Sequence, residues 1–410
     1  MRRSSRAGSS KPIGTPGGNG VPQSENGLTI MNEMPRLIQT TLDRGVPDLE
    51  TDAGYEAFLT RTQQLTTIGD VHAAEANCWA LLERRPNDAR VLQQLIGFAY
   101  QSGRADVALD LARRAVQARP GDAEAHRRLG GLLFEAGQVG EAAASYAAAL
   151  ERNKYLFEAW FDLGICHEVS DRLQQALDCF QRAVELDNGS ALAHCGIGRA
   201  KWRLGDRAGA RAAFETAFSA EPDSIPAMVN LANALREDGE GEHAIPLYRR
   251  VLEREGPSYE VLNNLAVALS EAGQHQEALD TCRSALALSP NDALLHNTLG
   301  LIWLRVGRLR DAIPAFRRSL ELAPDSHACR CNLALALYED GALAQAREML
   351  LQVVAEAPDY RVLDLLGTVL KDCADPSGAL RWYRAALEQK PDAPSSWTVA
   401  LLWPIAERVA

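Results

Sequence analysis

The sequence predicts an all-α solenoid of ten tandem helix-turn-helix units, because three residue types recur in one register along most of the chain. An alanine recurs with a spacing of 34 residues eight times and 33 once, at Ala74, Ala108, Ala142, Ala176, Ala210, Ala244, Ala278, Ala312, Ala346 and Ala379. A glycine precedes it by five residues at Gly69, Gly103, Gly137, Gly205, Gly239, Gly273, Gly307 and Gly341. A proline follows it by twelve residues at Pro86, Pro120, Pro222, Pro290, Pro324, Pro358 and Pro391.

Each unit begins with a first helix whose buried stripe carries a recurring leucine. This leucine occurs at Leu95, Leu129, Leu163, Leu231, Leu265, Leu299, Leu333 and Leu366. The glycine ends the helix, because the residue that follows a helix often takes the left-handed conformation that glycine adopts most easily. Asp171 and Ala374 replace the glycine in the fourth and tenth units.

The recurring alanine lies early in a second helix, where the two backbones approach closely and a larger side chain would overpack the contact. Four residues later, on the same helix face, comes a bulky core position. It is occupied by Tyr146, Phe180, Phe214, Tyr248, Phe316 and Tyr383. The proline then ends the second helix and starts the next unit.

The fourth unit carries the fullest set of signature residues, which are Trp160, Leu163, Gly164, Ala176 and Phe180. This set resembles the tetratricopeptide repeat, whose signature is W-x2-L-G-x2-Y, then A-x3-F, then P. The unit departs from the signature at its Tyr and Pro positions, and the first unit is the most degenerate, as expected of a capping repeat. The resemblance implies a right-handed superhelical solenoid of ten such repeats over residues 55–392.

Two segments flank the predicted repeats. Residues 1–54 are predicted to be disordered or weakly ordered, because 14 of the first 30 residues are Gly, Pro or Ser and few are large and apolar. Residues 393–410 are predicted to form a half-repeat capping helix. Its apolar residues exceed what a cap needs and predict self-association or partner docking. They are Trp397, Leu401, Leu402, Trp403 and Ile405.

Composition argues against several classes of protein. A net charge of −11 disfavours nucleic acid as a partner. No apolar run reaches the length that spans a bilayer, so no membrane insertion is expected. Eight scattered cysteines without a CxxC pair indicate free thiols in a reducing compartment, and the chain is predicted to be cytoplasmic.

No catalytic, cofactor-binding or metal-binding motif is apparent, so the chain is predicted not to be an enzyme and to need no cofactor. Cys329 and Cys331 are two residues apart on a helix and point in different directions, which disfavours a shared metal. His126, His194 and His296 occupy the Trp position of three different units. Packing is the favoured interpretation of these histidines.

The resemblance further implies that first helices line a concave groove through the second, fifth, sixth, ninth, twelfth and thirteenth positions of each unit. Three sets of candidate partner-binding residues follow from these positions. The amides are Asn230, Asn233, Asn263, Asn264, Asn297 and Asn332. The aromatic side chains are Tyr100, Phe134, Trp202 and Tyr338. Arg199 and Arg203 are candidate anion-binding residues, with a solvated mixed-charge surface as the favoured alternative.

Asparagine can pair with a peptide bond through both a donor and an acceptor. The C-terminal repeats thereby resemble the asparagine ladder of the O-GlcNAc transferase solenoid, with no catalytic domain expected in this chain. The leading prediction is a scaffold or adaptor that binds extended or helical segments of other proteins. Two alternatives stay open, namely a non-catalytic targeting subunit of an enzyme supplied in trans and an assembly factor for a bacterial secretion, pilus or motility machine.

Overall fold

A computed structural model describes Leu49 and residues 51–391. This part of the chain contains twenty α-helices and no β-strand. It is divided into two compact units, an N-terminal unit that ends at Ala227 and a C-terminal unit that begins at Met228. The C-terminal half-repeat predicted at residues 393–410, and nearly all of the predicted N-terminal segment, lie outside the described residues.

The helices alternate between first and second helices of ten consecutive pairs. The first helices are α1 Asp52–Thr67, α3 Ala89–Gln101, α5 Ala123–Glu135, α7 Phe157–Val169, α9 Ala191–Leu204, α11 Ile225–Glu237, α13 Tyr259–Glu271, α15 Ala293–Arg305, α17 His327–Glu339 and α19 Tyr360–Asp372. The second helices are α2 Val71–Arg84, α4 Ala105–Ala118, α6 Val139–Arg152, α8 Leu173–Leu186, α10 Arg207–Ala220, α12 Gly241–Glu255, α14 His275–Leu288, α16 Leu309–Leu322, α18 Leu343–Glu356 and α20 Pro376–Gln389.

Side-chain caps fix where many first helices begin. The hydroxyl of Thr51 accepts a hydrogen bond from the Gly54 amide, so α1 starts at Asp52, slightly before the boundary at residue 55 that the repeat period predicts. Asp122 caps α5 and Asp292 caps α15 in the same manner. Such caps satisfy backbone amides that have no partner inside the helix.

The turn between the two helices of each pair has the conformation that the glycine column predicts. All eight glycines of that column have a positive φ, between 72° at Gly103 and 90° at Gly205. Asp171 and Ala374, which replace glycine, take the same left-handed conformation with φ of 60°. The tertiary context therefore imposes the turn even where the side chain disfavours it.

The contact between the two helices is as close as the alanine column predicts. All ten alanines of this column are completely buried. A second close contact lies beside it, where a glycine of the first helix faces the aromatic ring of the second. A Cβ added to Gly164 would lie 2.6 Å from Phe180, and one added to Gly198 would lie 2.3 Å from Phe214. The helices pack at a distance that these positions allow only to glycine.

The histidines at the Trp position have a structural role. The Trp160 indole donates a hydrogen bond to the Lys154 carbonyl, six residues earlier, at 2.9 Å. His126 and His296 place Nε2 at 3.1 Å and 2.9 Å from the carbonyl oxygens of Pro120 and Pro290, also six residues earlier. Because a carbonyl only accepts, each ring nitrogen must donate. Histidine therefore replaces Trp by keeping the N–H that holds the turn between units.

We expect Ala278→Leu to destabilise the C-terminal unit by about 1–3 kcal/mol, because Ala278 is completely buried and the added atoms would overpack the α13–α14 contact. Ala287→Leu, at an exposed position of the same helix, should change stability by less than about 0.5 kcal/mol. Denaturant unfolding followed by circular dichroism compares the two variants. Equal losses of stability in both would contradict the close-contact account.

Alkylation should report the opening of individual repeats. Burial raises the pKa values of the Cys166 and Cys282 thiols to about 12, which lowers their thiolate fraction at neutral pH by roughly three powers of ten. We expect both thiols to react with iodoacetamide much more slowly in the folded chain than in denaturant, and more slowly than the half-buried Cys373. Mass spectrometry of labelled peptides measures this. Native labelling of Cys282 as fast as that of Cys373 would show that the α13–α14 pair is open.

Candidate functional site

The first helices of neighbouring repeats lie side by side within each unit. In the N-terminal unit α5 contacts α7 and α7 contacts α9, and in the C-terminal unit α13, α15, α17 and α19 contact one another in turn. We call the surface that these helices form the first-helix surface of that unit, and in the C-terminal unit it includes the residues of α11 from Met228 onward. The two surfaces carry most of the positions at which the sequence predicts partner-binding residues.

Four of the predicted asparagines form two pairs across neighbouring repeats of the C-terminal unit. The Asn264 amide donates a hydrogen bond to Oδ1 of Asn233 at 3.2 Å, and the Asn332 amide donates to Oδ1 of Asn297 at 3.0 Å. The Tyr248 hydroxyl donates a second hydrogen bond to Asn233 Oδ1 at 2.6 Å. All four asparagines are half-buried. Their amide groups are therefore held in one orientation by the fold.

The pairing leaves part of each amide available. Within the described residues, Oδ1 of Asn264 and of Asn332 accept no hydrogen bond, and one N–H of each amide donates none. The half-buried Asn230 makes no side-chain hydrogen bond in the same part of the chain. The surface can thus offer acceptors and donors to a polar ligand without first breaking an internal contact.

Asn263 departs from the predicted set. The pattern places it on the surface offered to a partner, but the structure exposes only 6% of it. Its Oδ1 atom is buried without a hydrogen-bond partner in the described residues, as is the Ser270 hydroxyl two turns later on α13. Packing between neighbouring helices covers this position, so its side chain is not presented to a ligand.

The two tyrosines of the aromatic set are tied to the following repeat. Tyr100 donates a hydrogen bond to Glu135 at 2.8 Å, and Tyr338 donates one to Asp372 at 2.6 Å. The hydrogen bond to the Asp372 carboxylate raises the pKa of Tyr338 to about 12, and the one to Glu135 raises the pKa of Tyr100. These rings can make apolar contacts, but their hydroxyls already have partners.

Phe134 and Trp202 are half-buried on the N-terminal unit. The guanidinium of Arg207 lies 3.6 Å from the centre of the Trp202 ring, which is a cation–π contact. One face of Trp202 is therefore covered by the chain itself, which reduces the area that it can offer to a partner.

The arginines predicted to bind anions are used internally. Arg199 forms two hydrogen bonds, at 3.0 Å and 2.8 Å, with the carboxylate of Glu168, which is 6% exposed. Arg203 donates to the Glu168 carbonyl and to Asp171. Two donors in a fixed fork match a carboxylate well, so these contacts leave little capacity for an anionic ligand. The mixed-charge alternative describes this region better.

In the first two repeats the sequence predicts only Tyr100 as a partner-binding residue. Seven other groove positions of these repeats carry uncharged polar residues or glycine, which are Gln63, Thr66, Thr67, Gln93, Gln94, Gly97 and Gln101. They line a cleft of about 480 Å³ in the N-terminal unit. All seven lie at the fifth, sixth, ninth, twelfth or thirteenth position of their unit, so their place on the groove follows from the repeat period. The predicted set contained asparagine, aromatic and arginine side chains but no glutamine, threonine or glycine.

Other kinds of site are not found in the described part of the chain. Residues 51–391 contain no group of three or more His, Cys, Asp or Glu side chains placed to hold a metal ion. Among the helices of the same part, none combines the length and apolar character required to cross a membrane.

Comparison with known families agrees with the repeat geometry. Two sequence profiles described as tetratricopeptide repeat match residues 99–155, 127–191, 195–260 and 229–293, and residues 304–369. These ranges include most of the helix pairs described above. The chain belongs to the tetratricopeptide-repeat family. Members of this family bind peptides or other proteins, which is consistent with an interaction scaffold.

Curated relatives match parts of the repeat region. The chain is 31% identical over 136 residues to barley (Hordeum vulgare) SPINDLY, named a probable UDP-N-acetylglucosamine–peptide N-acetylglucosaminyltransferase, which covers 31% of this chain and 14% of that protein. It is 25% identical over 187 residues to the tetratricopeptide repeat-containing protein trd-1 of Caenorhabditis elegans, covering 45% and 23%. The chain thus spans less than a quarter of the length of these relatives.

Among solved structures, that of the APC/C hetero-tetramer Cut9-Hcn1 is similar with a TM-score of 0.52. The match covers 92% of this chain and 81% of the other at 16% identity. At this identity the likeness concerns the fold alone.

We expect Arg199→Ala to lower the stability of the N-terminal unit by about 3 kcal/mol, because it leaves the buried Glu168 carboxylate without its partner. Arg128→Ala is a suitable control, because Arg128 pairs with Glu124 at the surface and its loss should cost less than about 1 kcal/mol. Chemical denaturation measures both. Equal small effects in both variants would show that the Arg199–Glu168 pair contributes no more to stability than a surface pair.

Proposed function

We propose that this chain is a scaffold or adaptor that holds an extended segment of another protein on the first-helix surface of its C-terminal unit. The observation that carries the proposal is the pairing of Asn233 with Asn264 and of Asn297 with Asn332. Each pair holds an amide in one orientation and leaves it a free acceptor and a free donor. This is the arrangement that a peptide backbone requires from its host.

The pairing also lowers the cost of binding. A free asparagine loses side-chain entropy when it takes up a ligand, whereas an amide already held by its neighbour has lost most of it in folding. Asn264 and Asn332 lie at the same position of units two repeats apart, so a segment that runs along the surface would meet similar groups at intervals. Leu294, 60% exposed on the intervening α15, supplies an apolar contact between them.

A second candidate function is a non-catalytic targeting subunit for an enzyme supplied in trans. It is favoured by the similarity to SPINDLY proteins from three plants, which matches only 7–14% of each of them. In this case the first-helix surface of the C-terminal unit would hold the substrate protein while the enzyme acts on it. Both candidates use the same surface and differ in whether a bound enzyme is also present.

The triple substitution of Asn230, Asn264 and Asn332 by Ala tests the surface. Each lost hydrogen bond should weaken peptide binding by about 0.5–1.5 kcal/mol, so the triple variant should bind roughly one to three powers of ten more weakly. The probes are peptides selected from a displayed random library on the unmodified chain. Fluorescence anisotropy gives their dissociation constants.

A control triple variant replaces Asn87, Asn188 and Asn291, which are exposed in turns between repeats, and should bind as the unmodified chain does. Thermal unfolding distinguishes a binding role from a structural one, since half-buried pairs should contribute only about 1 kcal/mol each to stability. Undiminished binding by the first triple variant would move the site elsewhere on the chain. A large loss of stability would make these asparagines structural.

A further inference from the structure

We propose that the cleft between α1 and α3 of the N-terminal unit is a second binding site, which takes an uncharged, extended peptide segment whose backbone lies against Gly97. The cleft has a volume of about 480 Å³, within the range of about 300–1,000 Å³ typical of ligand sites. Six polar side chains line it, which are Gln63, Thr66, Thr67, Gln93, Gln94 and Gln101. The site shares no residue with the first-helix surface of the C-terminal unit, because the residues that line it belong to the N-terminal unit.

The cleft is rich in unused amide groups. Gln94 accepts a hydrogen bond from the Cys78 thiol, whereas Gln63, Gln93 and Gln101 make no side-chain hydrogen bond within the described residues. The hydroxyls of Thr66 and Thr67 donate to backbone carbonyls one turn earlier, which leaves their oxygens able to accept. Alternating donors and acceptors of this kind complement a peptide backbone, in which N–H and C=O groups also alternate.

Charge selects against an ionic ligand. All residues that line the cleft are uncharged. One turn before Gln93 and Gln94, Arg90 forms two hydrogen bonds with Glu56 on α1 and further contacts with Asp88. These charges are satisfied by one another and tie α1 to α3. A charged side chain entering the cleft would lose part of its hydration without gaining a partner, so an uncharged segment is favoured.

Gly97 is the observation that points to a backbone. It lies in the interior of α3, where glycine costs roughly 0.5–1 kcal/mol relative to alanine. Packing does not require it, because an added Cβ would meet nothing within 4 Å, unlike Gly164 or Gly198, where an aromatic ring leaves no room. Glycine is also used where the backbone must approach a ligand closely, because it carries no Cβ. The open space above Gly97 is the place for that approach, with the buried Phe98 and the half-buried Val71 as apolar neighbours.

A peptide fits this cleft better than an enclosed small molecule. Gln63, Thr66, Thr67 and Gln101 are exposed, so the cleft is open to solvent along α1 and at the end of α3. An extended segment can lie in it and continue beyond it at both ends. A small ligand bound there would keep much of its surface in water and gain less from burial.

Gly97→Ala separates the functional role of this glycine from a structural one. The variant should raise the denaturant midpoint, because alanine is the better helix former and the added methyl group meets no atom. It should at the same time weaken peptide binding by about tenfold or more, because the methyl group occupies the space of the backbone. The probe is a displayed library of random peptides without Asp, Glu, Lys or Arg, selected on the unmodified full chain.

Gly140→Ala is the matched control, since an added Cβ there also meets nothing within 4 Å but the residue lies on the second helix α6. It should leave peptide binding unchanged. A Gln93→Ala, Gln101→Ala double variant should reduce binding by about tenfold, which tests the amides without altering Gly97.

Selected peptides that lose affinity for the Gly97→Ala variant but not for Gly140→Ala support the proposal. Failure to select any peptide, or equal binding by Gly97→Ala and the unmodified chain, overturns it. Peptides that lose affinity only for the triple Asn230, Asn264 and Asn332 variant overturn the cleft site while supporting the proposed function of the C-terminal unit. The two proposals can therefore fail separately.

Discussion

The close contact between the two helices of each repeat is the constraint on which the rest of the structure depends. Ten alanines spaced along the chain are completely buried at this contact, and in several units a glycine of the first helix lies directly against an aromatic ring of the second. Dispersion forces stabilise such close packing, and a change in side-chain volume at the contact therefore destabilises it. The same contact recurs in all ten pairs, and first helices of neighbouring pairs lie side by side within each unit. The two candidate binding surfaces are a consequence of that arrangement.

Polar groups on these surfaces fall into two classes. In the middle repeats the charges are largely satisfied within the chain, as Arg199 with Glu168 illustrates. In the first two repeats and in the C-terminal unit, neutral amides keep unused donors and acceptors. An ion pair whose groups already bind each other contributes little to binding a partner, because breaking it leaves a buried charge without its counterion. A neutral amide with an unused donor or acceptor can form a hydrogen bond with a partner at small cost. We therefore locate binding on the amides, although the charged residues are the more conspicuous feature of the sequence.

The position of an asparagine in a repeat could be predicted from the sequence, but its hydrogen-bond partners could not. Asn263 and Asn264 are neighbours in sequence, yet the first is buried with an unpaired oxygen and the second pairs with Asn233 one repeat earlier. The difference depends on the rotation of α13 and on the side chains that face it from the preceding helices. Similarly, the tyrosines at the twelfth position were visible in the sequence, while their carboxylate partners in the following repeat depend on how successive first helices are offset.

By itself the sequence determined the helical pairs and their number. The period of 34 residues places a glycine at the turn, an alanine at the contact between the two helices and a proline at the end of the second helix. Even the histidines at the Trp position were interpretable as packing residues before their ring nitrogens were seen beside carbonyl oxygens. Only the tertiary structure decided which polar groups remain free. Local geometry depends on residues a few positions apart. Whether a polar side chain already has hydrogen-bond partners depends on residues about 30 positions away, which the fold brings into contact. The empty space above Gly97 is of this second kind, since a glycine in the sequence does not reveal whether a neighbour or a ligand fills the space beside it.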